Sequence, residues 1–268
     1  MPQKEVFSKL NETLRSQTRA FKVSLQLGYN LIDTQTGEKR YFSPSWDTRV
    51  SDNTIVINKK ADIQTKIIDA MNAADFSALI KYPSSKWKVD EITAIQATLF
   101  YRDHRLGDSG VKIPDVIKQN HHVIDFPETN NKCVFHCIAY HLQTEGKDFR
   151  RIKTLVKDRF KQYCSFKNIE YSLPVFKSFQ PIDLLQFDDL EECFGISIDV
   201  HEMNTGTNEV TYIRESDSTS SNKMHILDYN GHAMYIQRID ALSSKYPCDS
   251  CDMIFGTCHK LAAHKKTQ

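Results

Sequence analysis

The first 132 residues contain no cysteine, yet seven follow: Cys133, Cys137, Cys164, Cys193, Cys248, Cys251 and Cys258. An odd number crowded into one half does not make a disulfide framework, and the opening MPQKEVFSKLNETLR has no apolar signal-peptide core. The expectation is thiol or metal chemistry in an intracellular protein of the cytoplasm or nucleus. No hydrophobic run approaches the roughly 20 residues a membrane span needs, so no membrane partner is expected. A surplus of one charge is missing too. The 35 Lys and Arg against 34 Asp and Glu leave +1, which argues against nucleic acid as the main partner of the bulk of the chain. What is present is 40% hydrophobic residues, with 15 Phe and 11 Tyr among 268, enough for one or two cores.

Three regions follow from the pattern, and their order predicts an α+β protein. Residues 1–122 read as a small α+β domain without a catalytic constellation, its suggested role being substrate binding. Phe21–Leu27 alternates, Tyr29–Phe42 reads as two strands around a Thr36–Gly37 turn, Ile63, Ile67, Ile68, Met71 and Phe76 recur at helical spacing, and Ile92–Tyr101 reads as a strand. In residues 123–245, Thr129 and Asn130 are expected helix caps before the apolar stripe Val134, Cys137, Ile138, His141 and Leu142. Further helices carry Phe149–Phe160 and Asp183–Cys193, with Gly195 as a stop. Strands at Ile196–His201, Val210–Arg214 and Met224–Asp228 are expected to form an antiparallel set, the last turning at Asn230–Gly231 into His232–Arg238. Residues 246–268 form a short cysteine- and histidine-bearing tail.

Cys133 sits where the loop Glu128–Lys132 enters a helix. The positive end of the helix dipole favours a thiolate there, the nucleophilic form, and the free N–H groups of the same turn can receive an oxyanion. His232, opening a strand directly after a tight turn, is the candidate base. The alternative for Cys133 is a buried structural thiol, since free cysteine is among the most buried residue types. Cys137, His136, His141 and His225 are expected in structural roles. Zinc on Cys133, Cys137 and His141 would stretch one tetrahedral ion over two helical turns. Asp188–Glu192 reads as a solvated acidic helix face, and Ser216–Ser221 as a flexible loop beside the His232 hairpin.

Asn130-Asn-Lys-Cys133-Val-Phe-His-Cys-Ile-Ala resembles the Asp-Gly-Asn-Cys-Leu-Phe-Arg-Ala nucleophile motif of OTU-family deubiquitinases. The downstream order is similar as well: Phe194-Gly-Ile-Ser-Ile-Asp-Val200, strands, then His232 ahead of an aromatic-containing strand. The resemblance spans about 123–240 and implies a papain-like cysteine protease fold. It also implies cleavage of ubiquitin or ubiquitin-like conjugates after the terminal glycine, with no cofactor needed for catalysis. Amides around Asn131, Lys132 and Cys133 would hold the oxyanion. In the family an Asp or Asn two residues after the histidine orients its ring, whereas here that position is Met234. Asn130, Asp228 and Asp240 are the candidates to replace it, Asn130 first because it travels with the Cys133 loop. More loosely, 29–42 and the stretch from Ser85 resemble amino-terminal regions of large mobile-element proteins that carry a family-B DNA polymerase, which implies a longer protein. A catalytically inactive hydrolase-like binding module and a self-processing polyprotein protease are the rival functions.

In the tail, Cys248-Asp-Ser-Cys251-Asp-Met-Ile-Phe255 through Leu261-Ala-Ala-His264 has the C-x2-C-x12-H spacing of a ββα zinc finger. Its last histidine belongs at 268 or beyond, and 268 is Gln, so zinc would rest on three ligands: Cys248, Cys251 and His264. DNA is a partner only for a full-length protein with whole fingers.

Overall fold

A computed structural model describes residues 3–45, 47, 49–51, 53–74, 86–102, 105–107, 110–127, 129–143, 147–206, 209–242, 246–247, 254–255 and 258–267. The architecture is α+β, as expected, and divides into two units: Met1–His104 with Asp183–Asp188, and Arg105–Ile182 with Asp189–Gln268. Among the described residues no helix is long and apolar enough to cross a membrane.

In the first unit, helix α1 (Gln3–Arg15) presents Val6, Phe7, Leu10 and Leu14 to the core at helical spacing. Strand β1 (Phe21–Asp33) is the spine of the sheet. It pairs antiparallel with β2 (Lys39–Phe42), with β3 (Ile55–Ile57), and along its whole length with β4 (Trp87–Tyr101). The β1–β2 turn closes at Gly37, whose φ of 73° suits a residue without Cβ. A helical run, α2, covers 60–73 with a π-helical Ile63–Ile68 at its centre. Phe76, expected on that helix, lies outside the described residues.

The second unit opens earlier than position 122. Ile113 and Ile117, the latter on the short helix α3 (Asp115–Lys118), join the core of Leu227, Met234 and Ile236, and β5 (Val123–Ile124) pairs with a strand of the same sheet. Residues 105–122 therefore belong with the unit they pack against. Helix α4 (Cys133–His141) is buried from Cys133 to Tyr140, beyond the single stripe expected from the sequence. It lies against α5 (Ile152–Phe166) and, through Phe135, contacts Phe160, Tyr163 and Phe179 edge-on at 5.3–5.6 Å. After α6 (Leu173–Lys177) and α7 (Phe187–Phe194), Gly195 ends the helix at φ 65° and feeds the sheet strands.

These strands are β6 (Ser197–Asn204), β7 (Glu209–Arg214), β8 (Lys223–Tyr229) and β9 (His232–Ile236). The sheet order is β5-β9-β8-β6-β7. The expected all-antiparallel set is corrected at one place: β8 runs parallel to β6, pairing His225 with Asp199. The hairpins β6–β7 and β8–β9 are antiparallel, the second turning through Asn230 (φ 50°) and Gly231 (φ 82°). Asp188–Glu192 is a solvated face only in part: Glu192 is exposed and Asp188 and Asp189 are half-buried. Leu190 is fully buried, and Glu191 receives Arg214 at 2.8 Å and the Ile198 amide at 2.6 Å. The 216–221 loop is likewise held rather than loose, with Ser197 Oγ within 3.1 and 2.9 Å of the Ser218 and Ser220 carbonyls and the Ser216 amide on Asp199.

Beyond helix α8 (Ile239–Leu242), the tail has strands β10 (Tyr246–Pro247) and β11 (Ile254–Phe255), paired antiparallel, then helix α9 (Cys258–Thr267) resting on them.

Candidate active site

The loop before α4 takes an unusual path. Asn130 and Asn131 both have positive φ, 47° and 66°, a region that asparagine tolerates better than most side chains. Neither Thr129 nor Asn130 caps the helix. Lys132 stands at the cap without a side-chain bond to it, and Thr129 instead uses its carbonyl to take the Lys132 amide at 3.1 Å. The Lys132 N–H is thereby committed to the turn, which corrects its expected place among the oxyanion donors. Asn131 fixes the loop from the other direction by donating its side-chain amide to the Phe179 carbonyl at 3.1 Å.

The tight turn in turn places His232 and its neighbour. Asp228 Oδ1 accepts the Gly231 amide at 2.9 Å and so holds the β8–β9 reversal, which accounts for one of the three carboxylates and amides proposed to orient the ring. Ala233, the next residue, donates its amide to Cys133 Sγ at 3.4 Å, and Cys137 Sγ lies 3.9 Å from the Ala233 carbonyl. The helix that carries the candidate nucleophile is thus seated against the residue beside the candidate base.

The group that orients His232 is Asp125. Its Oδ1 lies 2.7 Å from His232 Nε2. Asn130, the residue expected there, instead offers its backbone carbonyl to Lys132 Nζ at 2.5 Å, and the side chain of Asp240 lies outside the described residues. The register explains the substitution. Tyr235 pairs with Ile124 and Ile236 with Val123, so continuing by one residue sets Asp125 across from Met234, the very position where the sequence lacks an acid. Directly opposed residues of an antiparallel pair share a face, and the next residue along the diagonal is within reach of a long side chain. The carboxylate that is missing from the histidine's own strand arrives on the neighbouring one. With Nε2–H given to Asp125, the lone pair of the imidazole sits on Nδ1.

Burial changes the state of the thiol. Cys133 is fully buried, His232 is 3% exposed, and burial pushes the Cys133 thiol up to about 12, against amide hydrogen bonds from Ala233 and Val134 that pull it down. Desolvation of the charged form thus acts against the thiolate that the helix dipole favours. Cys137 is core, raised well above the ordinary thiol value by burial. His141 uses Nδ1 toward the Tyr235 hydroxyl at 3.1 Å and Nε2 toward Asn222 at 2.9 Å, so it, Cys133 and Cys137 form no metal set.

Elsewhere in the sheet, Asp199, His201 and His225 converge, the His201 Nε2–His225 Nδ1 distance being 3.1 Å. Asp199 is already held by Lys223 at 2.9 Å. In the tail the strand–strand–helix order fits a ββα scaffold and α9 carries His264, while Cys248 and Cys251 lie outside the described residues. Compared with family models, with curated proteins and with solved structures, the chain finds no match.

Proposed function

We propose that the chain is a cysteine-dependent hydrolase of OTU-like, papain-like fold that cleaves conjugates of ubiquitin or a ubiquitin-like protein. The observation that carries this reading is the Asp125–His232 pair at 2.7 Å, set one residue from the amide that meets Cys133 Sγ. Asp125 keeps Nε2 protonated and the ring aimed, and Nδ1 serves as the base. Because burial favours the protonated thiol, His232 takes that proton during the attack. The sulfur adds to the carbonyl carbon, and the Asn131 and Cys133 amides are the donors offered to the oxyanion. The amine leaves with the proton from His232, and water, deprotonated by the same ring, splits the thioester.

The test is a ubiquitin probe bearing a carbon electrophile in place of its terminal carboxylate. Formation of a covalent adduct that disappears in Cys133→Ala and in His232→Ala supports the hydrolase. A second reading, an inactive hydrolase-like binding module with a zinc-finger tail, draws on the complete burial of Cys133. It gains if no ubiquitin or ubiquitin-like probe labels the folded chain.

A further inference from the structure

The two halves of the candidate site are tied together by one short stretch of main chain. Gly231, the residue before His232, is pinned at both of its backbone groups. Its amide goes to Asp228 Oδ1 at 2.9 Å, and its carbonyl accepts the Gly107 amide at 2.7 Å. Gly107 follows the two-residue strand Arg105–Leu106, which pairs with the strand that Ile182 opens. It also lies directly on Pro181. A Cβ at position 107 would stand 2.7 Å from the Pro181 Cβ, 2.8 Å from its Cα and 2.9 Å from its Cγ. Carbon atoms in contact prefer about 3.5–4.0 Å, so a side chain there would force the two segments apart. Glycine is required by a close approach.

The other side of that approach leads to the nucleophile. Two residues before Pro181, the Phe179 carbonyl accepts the Asn131 side-chain amide at 3.1 Å. The Phe179 ring packs on Phe135 of α4 at 5.6 Å and on Phe160 of α5 at 4.9 Å, which seats this segment on the core. Asn131 stands in the left-handed turn two residues before Cys133. A path therefore runs from Gly231 through Gly107, Pro181 and Phe179 to Asn131, all within the second unit. Its two ends meet again where the Ala233 amide reaches Cys133 Sγ at 3.4 Å. Sulfur is a weak acceptor, so the path through Gly107 holds that meeting in place more firmly than the contact itself does.

We propose that Gly107 is a positioning residue of the candidate active site, its contacts setting the separation between the His232 turn and the Cys133 loop. The catalytic meaning of that separation rests on the hydrolase reading, while the separation itself does not.

Amide exchange of the full chain reads the separation without requiring activity. The Ala233 amide should exchange about tenfold faster in Gly107→Ala, the scale of one hydrogen bond, while the Leu227 amide in the middle of the sheet keeps the parental rate. A general loss of stability would raise both together. Labelling by the ubiquitin probe is the second arm. Its rate at saturating probe should fall about tenfold, with the half-saturating concentration within about twofold of the parent, because the reacting groups are misaligned and the probe contacts are not. Asn131→Gly keeps the left-handed backbone but cuts the same path at its other end. It should produce both effects, and it carries the test if Gly107→Ala does not fold. Labelling of the double variant should fall no further than that of the slower single, since a path already cut holds nothing. Ala233 exchange equal to the parent's overturns the proposal, as does labelling at the parental rate or a double variant whose losses multiply. A parent chain that no probe labels, with Ala233 exchange still responding to Gly107→Ala, removes the hydrolase reading and leaves the positioning role in place.

Discussion

Two carboxylate–imidazole groupings are associated with the same five-stranded sheet, and their surroundings differ in burial and in where their bonds lead. Asp199 is fully buried, and its oxygens are spent on Lys223, on the Ser216 amide and on proximity to His225, which meets His201 in turn. Each of those bonds closes onto the fold, tying β6 to β8 and anchoring the 216–221 loop. Asp125 stands at the end of β5 with its side chain 39% exposed, bonded to a histidine whose neighbour touches a thiol. A buried network whose bonds are all internal rigidifies. The Asp125–His232 pair, at a strand end and open on one side, is the one that the proposed hydrolase reading uses to move a proton.

The sharpest break between the two groupings is Cys133→Ala, which should abolish covalent labelling by the ubiquitin probe, while His201→Gln leaves labelling per folded molecule within about twofold. Next in size comes Arg214→Ala. Arg214 is 1% exposed by side chain and gives two nitrogens to Glu191, so its removal strands a buried carboxylate at a cost of about 3–5 kcal/mol, read from urea unfolding. Labelling of the surviving folded fraction should persist, because that pair supports the sheet and takes no part in the chemistry.

Asp125→Asn should keep the fold and slow labelling about 100-fold, since an amide cannot hold the same ring tautomer as firmly. The pH profile of labelling should shift along with the rate, and an unchanged rate would remove Asp125 from the site. The smallest effect is one of stability. Burial, then His225, holds His201 down to about 4, with Asp199 opposing and Lys223 assisting. A histidine whose folded value lies below its ordinary value of about 6.5 favours folding in its neutral form, so the contribution is complete above about 6.5 and is lost as pH falls toward 4. The loss is on the order of 2 kcal/mol, and the difference in denaturant midpoint between pH 7 and pH 4.5 should be smaller in His201→Gln than in the parent chain.

Local chemistry was legible residue by residue. The Asn230–Gly231 reversal, the Gly195 stop, the Cys133 helix and the strand opened by His232 follow from short-range preferences that act within a few residues, and all are in place. The helix caps failed because Asn130 and Asn131 take left-handed backbone, which puts Lys132 at the cap, and a distant carbonyl, that of Phe179, holds Asn131 there. Asp188–Glu192 misled for a related reason: an acidic run looks solvated until a distant Arg214 is brought onto it.

By itself, the sequence determined which residues could carry chemistry, since a cysteine at a helix entrance and a histidine after a tight turn are set by local backbone preferences. Tertiary structure alone decided that Asp125 meets His232 and that the Cys133 sulfur is buried, which raises its thiol value. Strand register brings residue 125 across from residue 234 over more than 100 positions of chain, and desolvation depends on every element packed over the sulfur. Neither the pairing of distant strands nor the shape of a closed core is written in any short stretch of the chain.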